Sequence, residues 1–236
     1  MKILAFDCAT GHLSVAVSVD GRVAARHDEP AARGQGERLL PAIAATLAAA
    51  GLVFGALDRI AVTVGPGHFT GLRVGLAAAR GFRVATGLPV IGVTTLEALA
   101  HGTAPADRAG RAVLAAVDSK RAEPYFQLFD AALAPLGPPV ATTPEDFAAA
   151  FALPSVVLAG DDAVRAALTA RGVDVRPTAV RHPDAAIVAS LAATRDVGEA
   201  LTPFYLHPAA VTPPAVRPPA SGAAPGEAPE PAESAS

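Results

Sequence analysis

The stretch Gly65-Pro66-Gly67-His68-Phe69-Thr70-Gly71-Leu72-Arg73-Val74-Gly75 constrains this chain more than any other. The apolar, β-branched run Ile60-Ala61-Val62-Thr63-Val64 precedes it and predicts a buried strand. Gly65-Pro66-Gly67 stops that strand, because proline cannot donate to a ladder and glycine reaches conformations closed to other residues. Thr70 is the expected N-cap of a helix that runs to about Ala85 and stops at Gly87-Leu88-Pro89. Val90-Ile91-Gly92-Val93 reads as the next strand, so the whole is a right-handed crossover unit of a parallel or mixed sheet. No Gly-Lys-Ser/Thr follows, which excludes a Walker loop, and Thr70 stands where a dinucleotide fingerprint needs its third glycine. Two readings stay open: an anion held by amides at the helix N-terminus, or another helix packed closely against the small-residue stripe Gly71, Gly75, Ala79. Glycine inside a helix costs ~1 kcal/mol against alanine, so two of them ask for a packing reason.

Upstream, Lys2-Ile3-Leu4-Ala5-Phe6-Asp7 is a strand ending in a carboxylate. Cys8-Ala9-Thr10-Gly11 turns, the segment from Leu13 to Val19 alternates as a second strand, and Asp20-Gly21 is a hairpin turn into a third. Glu37-Arg38-Leu39-Leu40-Pro41 opens a helix with large residues at Leu39, Leu40, Ile43 and Leu47. After a break at Gly102-Thr103-Ala104-Pro105 the pattern returns: Ala112 to Asp118 is a strand ending in aspartate, Ser119 to Pro124 a turn, and Tyr125-Phe126-Gln127-Leu128-Phe129 its hairpin partner. Further on, helices are expected from Pro144, from Asp161 to about Arg171 and from Pro183 to Ala193, with a strand over Ser155 to Gly160. We therefore divide the chain into a first lobe, 1–104, a second lobe, 105–212, whose last helix packs back on the first, and a Pro/Ala-rich tail, 213–236, whose composition cannot bury a core.

The glycine loop resembles the Gly-Pro-Gly-Ser-Phe-Thr-Gly-Leu-Arg-(Ile/Val)-Gly signature of the TsaB family, also called YeaZ, with His68 in place of serine. Glu37-Arg38-Leu39-Leu40-Pro41 resembles the family's segment at that place, with Gln35-Gly36 for its His-Ser/Ala. The second aspartate hairpin resembles its Asp-Ala-(Arg/Lys)-Arg-Gly-Glu-Val-Tyr text, and His207 stands where the family has arginine. The resemblance implies an α/β, two-lobed ribonuclease-H-like fold of the actin, sugar-kinase and Hsp70 ATPase superfamily, with mixed sheets and flanking helices.

It also implies a non-catalytic subunit of the bacterial complex that makes threonylcarbamoyladenosine in tRNA. That subunit docks the catalytic TsaD-like protein, works beside a TsaE-like ATPase, forms a homodimer when alone, and meets tRNA only through the complex. The interface expected from the N-lobe helices comprises Glu37, Leu39, Leu40, Ile43, Gly71, Leu72, Arg73, Gly75, Leu76 and Ala79. No cofactor is firmly implied. A degenerate site or shared interface for ATP or ADP with Mg²⁺ would use Asp7, Thr10, Gly11 and Asp118.

Composition narrows the alternatives. A net charge of −3 lacks the basic surplus of a stand-alone tRNA binder. The single cysteine, Cys8, excludes an internal disulfide and suits a reducing cytoplasm. No signal peptide fits the N-terminus, and the uncharged residues 39–57 carry Pro41, Gly51 and Gly55 and read as a soluble amphipathic helix, so no membrane partner is expected. No two of the six histidines are spaced i, i+4, so the helical two-histidine metal site that the TsaD relative carries is missing, and no metal ligands are assigned. A phosphotransferase or ATPase of the same superfamily is the alternative function, but its first hairpin would need more glycine than Gly11. A glycoprotease-type metallopeptidase is a third reading, which the histidine spacing opposes.

Overall fold

The computed structural model describes residues 1–150, 155–198 and 201–206. His207 and the tail from 213 lie outside the described residues.

The first sheet has the order β3-β2-β1-β4-β5, with β1 (Lys2–Asp7), β2 (His12–Val19), β3 (Arg22–Pro30), β4 (Arg59–Gly65) and β5 (Val90–Thr94). β1, β2 and β3 form the antiparallel meander expected from the Asp20-Gly21 turn, and β4 and β5 add parallel to β1. Between β3 and β4 runs α1 (Gln35–Ala49), and between β4 and β5 runs α2 (Phe69–Thr86). The second sheet repeats the order as β8-β7-β6-β9-β10: β6 (Val113–Val117), β7 (Tyr125–Phe129), β8 (Val140–Ala141), β9 (Ser155–Gly160) and β10 (Asp174–Pro177). Again the hairpin β6–β7 is antiparallel and β9 and β10 are parallel. This doubled arrangement is the ribonuclease-H-like plan of two mixed sheets.

Helices cover both faces of the first sheet. Leu4, Phe6, Val15, Val17 and Val62 meet Leu39, Ile43, Leu47, Leu76 and Ala79 of α1 and α2 on one side. On the other, Ile3, Ala5, Ala16, Ala61, Ile91 and Val93 meet Val188, Ala189 and Ala192 of α7 (Ala185–Ala193). Both faces being buried explains why β1 reads as a continuous apolar run rather than an alternation. Between the sheets lies α3 (Thr95–His101), whose Leu96, Leu99 and Ala100 pack on Val113, Ala115 and Val117. It is capped as expected, Thr94 Oγ1 accepting from Glu97 N at 3.2 Å. The short α4 (Pro105–Arg108) follows α3, and α5 (Pro144–Ala150) and α6 (Asp162–Thr169) cover the outer face of the second sheet. Among the described residues no helix is long and apolar enough to cross a membrane.

One expected cap is corrected. The N-cap of α2 is His68, not Thr70, and no side chain caps it. The helix starts earlier because His68 N donates to Ala9 O at 2.7 Å, anchoring the loop one residue before Phe69.

Candidate functional site

The glycine loop folds onto the turn after β1. A Cβ on Gly67 would lie 2.2 Å from Ala9 O, and one on Gly71 1.9 Å from Cys8 O. Only glycine lets the loop and the first turn of α2 come this near. The close packing is real, but its partner is the chain's own β1 turn rather than the second helix that the stripe predicts. Gly75 faces Val62 and Cys8, where a Cβ would sit in ordinary contact at 3.5 and 3.8 Å. Beside the loop, Gln35 Nε2 donates to Thr10 O at 2.8 Å and to His12 O at 3.0 Å, holding the first hairpin turn. In the sequence Gln35 stands out only as a missing imidazole; in the fold its amide replaces that ring with two hydrogen bonds.

This packing corrects most of the interface expected from the sequence. Leu39, Ile43, Gly71, Leu72, Gly75, Leu76 and Ala79 are buried within the chain itself. Leu39 and Ile43 are covered by packing of α1 over β2 and β3, and the α2 residues by packing over β4 and the β1 turn. Glu37, Leu40 and Arg73 are exposed. Leu40 is 53% and Val84 88% accessible, both large apolar residues on the outer faces of α1 and α2. Phe69 is also exposed, with the Arg73 guanidinium 3.8 Å over its ring and Tyr205 against it at 5.7 Å between centroids.

Between the lobes opens a cleft of about 440 Å³. Thr10, Gly11, His12 and His68 line it from the first lobe, and Asp118, Lys120, Asp161, Arg181 and His182 from the second. Thr10, Gly11 and Asp118 therefore come together as expected from the sequence. Asp7 does not. It is 0% exposed, its Oδ1 accepting from Thr63 Oγ1 at 2.5 Å and from Ala9 N at 3.0 Å. Burial raises its carboxyl from the ordinary value near 3.8 to about 7, and the hydrogen bond from Thr63 only partly opposes this. Being sealed beneath the turn, it cannot hold an ion in the cleft, which corrects its assignment to a nucleotide site.

Asp118 behaves differently. Burial raises its carboxyl, but hydrogen bonds from the Lys120 side chain and backbone, both 2.7 Å, outweigh this and hold it below the ordinary value. Burial lowers the His68 imidazole, and Lys120 adds to it. Sequence reasoning missed Lys120, Arg181, His68, His12 and His182 in the cleft, because only the fold brings the two lobes' loops together. Asp7 and Asp118 are therefore not brought together as a pair, and it is Asp161 that lines the cleft with Asp118.

These features define a two-lobed α/β protein of ribonuclease-H-like plan whose first lobe keeps the glycine loop as a structural clasp. Comparison with known proteins gives the family. Residues 27–135 match the family described as TsaD: tRNA N6-adenosine threonylcarbamoyltransferase. The chain is 40% identical to the tRNA threonylcarbamoyladenosine biosynthesis protein TsaB of Escherichia coli over 126 residues, 53% of this chain. That alignment spans 54% of the Escherichia coli protein's length. An uncharacterized protein of Mycobacterium tuberculosis is 35% identical over 176 residues, covering 65% of this chain and 77% of the relative. The structure of YeaZ from Pseudomonas aeruginosa superposes with a TM-score of 0.70 at 30% identity, over 81% of this chain and 90% of that one. The chain belongs to the TsaB/YeaZ family.

Proposed function

We propose that this chain is a non-catalytic subunit of the machinery that transfers a threonylcarbamoyl group to adenosine in tRNA, and that it docks and activates a TsaD-like catalytic protein. The observation that carries the reading is the relationship to TsaB proteins named for that biosynthesis, together with exposed large apolar residues on α1 and α2. The docking surface is built on Leu40 and Glu37 of α1 and on Arg73 and Val84 of α2, all exposed. That surface also forms the homodimer when the partner is absent, and a TsaE-like ATPase joins the assembly. The burial of Asp7 supports a scaffold rather than a phosphotransferase. The net charge of −3 supports contact with tRNA through the complex, since phosphate binding needs clustered lysine and arginine.

Two measurements test this. Depletion of the protein should remove threonylcarbamoyladenosine from tRNAs reading codons that begin with adenine, as read by mass spectrometry of nucleosides. Normal levels, with no second copy of the gene product present, would sink the assignment. Leu40→Glu and Val84→Glu should each weaken binding to the TsaD-like protein at least ~10-fold, because burying an unpaired carboxylate in an apolar contact is costly, while circular dichroism stays native. Unchanged association would move the interface elsewhere.

A further inference from the structure

The chain after β10 crosses back to the first lobe, and its landing point is fixed. Ala185 N, at the start of α7, donates to Ser14 Oγ of β2 at 3.0 Å, and Arg26 of β3 reaches Asp184 at 3.6 Å. Ser14 is paired with Asp28 across the β2–β3 ladder. His12, two residues before Ser14, is therefore the diagonal neighbour of Asp28 on the same face. His182, three residues before Ala185, comes down on both. The result is a cluster drawn from three separate segments. The two imidazoles stack at 3.4 Å between centroids with 14° between their planes. His12 Nδ1 lies 3.1 Å from Asp28 Oδ1, and His182 Nε2 lies 3.4 Å from Asp28 Oδ2. One donor atom from each residue falls within 4.8 Å of the other two.

We propose that His12, Asp28 and His182 bind a divalent first-row transition ion of the zinc type at the rim of the cleft. Such an ion holds nitrogen and oxygen ligands at about 2.0–2.2 Å, which places tetrahedral neighbours about 3.3 Å apart. The separation of each ring nitrogen from its own Asp28 oxygen, Oδ1 for His12 and Oδ2 for His182, matches that spacing. His12 Nδ1 is buried and, despite its nearness to Asp28, makes no hydrogen bond of acceptable geometry. Binding requires the two stacked rings to splay, since near-parallel imidazoles 3.4 Å apart cannot both aim a ring nitrogen at one ion. Two imidazoles and one carboxylate select zinc, cobalt or nickel over magnesium or calcium, which take oxygen ligands. Asp28 and His182 are about 30% exposed, so an ion has a route in and a fourth position open to solvent. Bound there, it clips the crossover, and with it Arg181 on the cleft wall, to the first sheet. The inference stands on these residues alone and is independent of the partner-subunit reading.

The test uses the full chain, dialysed against chelator. Titration with Co²⁺ should give one equivalent bound per chain and the intense visible bands of a tetrahedral site, displaced by one equivalent of Zn²⁺. His12→Ala, His182→Ala and Asp28→Asn should each weaken Zn²⁺ binding at least ~100-fold, since losing even an outer partner of a ligand costs 10–100-fold. His27→Ala and His101→Ala should bind as the wild type does. Asp28→Asn keeps side-chain shape, so its native circular dichroism guards against loss through misfolding. Zinc should raise the melting temperature of the wild type and leave that of Asp28→Asn unmoved. Less than one equivalent bound, octahedral spectra insensitive to the three substitutions, or equal affinity in all variants would overturn the proposal.

Discussion

The two aspartate hairpins occupy the same place in two sheets of the same strand order, yet their carboxylates do opposite things. Asp7 closes β1 and is swallowed by the glycine loop, Thr63 and the Ala9 amide. Asp118 comes directly after β6 and stays in the cleft, bonded to Lys120. The difference lies less in the hairpins than in the loop that leaves the neighbouring parallel strand, β4 in one lobe and β9 in the other. In the first lobe Gly67 and Gly71 let that loop press on the carbonyls of Cys8 and Ala9. In the second, β9 ends at Gly160, whose missing Cβ makes room for Ala116 O inside the ladder, and the chain turns away through the cap residue Asp161. Identical topology thus yields a sealed structural acid in one lobe and an open polar one in the other.

The sharpest way to break this comparison is to unseat the clasp. Gly71→Ala would put a methyl group 1.9 Å from Cys8 O, which is backbone and cannot swing aside. We expect a loss of ~3 kcal/mol or more in urea unfolding. Gly75→Ala, with contacts at 3.5 and 3.8 Å, should be neutral or stabilising by up to ~1 kcal/mol from helix propensity. Equal effects at the two positions would show that the clasp does not exist.

The next test addresses the sealed acid. The folded-state value of Asp7 lies above its unfolded value, so the folded chain holds that proton more tightly. The stability this gives is fully present below about pH 4 and is lost as pH rises through about 7. The gap from 3.8 to about 7 corresponds to ~4 kcal/mol. Asp7→Asn removes this slope, so its stability relative to wild type should climb by a few kcal/mol between pH 4 and pH 8. A difference that stays flat with pH would mean Asp7 is open to water.

The smallest effect belongs to the open counterpart. Asp118→Asn breaks a partly exposed ion pair, which solvent screens, so unfolding free energy should change by no more than ~0.5 kcal/mol. A loss above 2 kcal/mol would make the two aspartates alike after all.

Much of the fold was legible because its signals are local. Asp20-Gly21 announces the β2–β3 turn, Gly87 ends α2 in a left-handed C-cap, and Tyr125–Phe129 is the strand its aromatic content predicts. Elements with weak local signals were missed: β8 has two residues, β10 ends in Pro177, and α4 is a single turn. The site was less legible for a physical reason. The glycine stripe states that something comes close but not what, and the close object is a carbonyl some sixty residues earlier in the chain. Likewise Leu39 and Leu40 are adjacent and equally apolar, yet one is core and the other surface. The histidines of the rim meet because Ala185 lands on Ser14 and Asp184 on Arg26, residues without a distinctive pattern of their own.

The return of α7 to the first sheet carries a consequence for biosynthesis. The ribosome delivers all five strands of that sheet by Thr94, but the helix that covers Ile3, Ala5, Ala61, Ile91 and Val93 begins only at Ala185. Some ninety residues, including the whole second sheet, must emerge while that apolar face is uncovered. At synthesis rates of about 5–20 residues per second this leaves several seconds of exposure. The nascent chain is therefore a natural client for chaperones during that interval, and the first lobe becomes complete only after the second has been made.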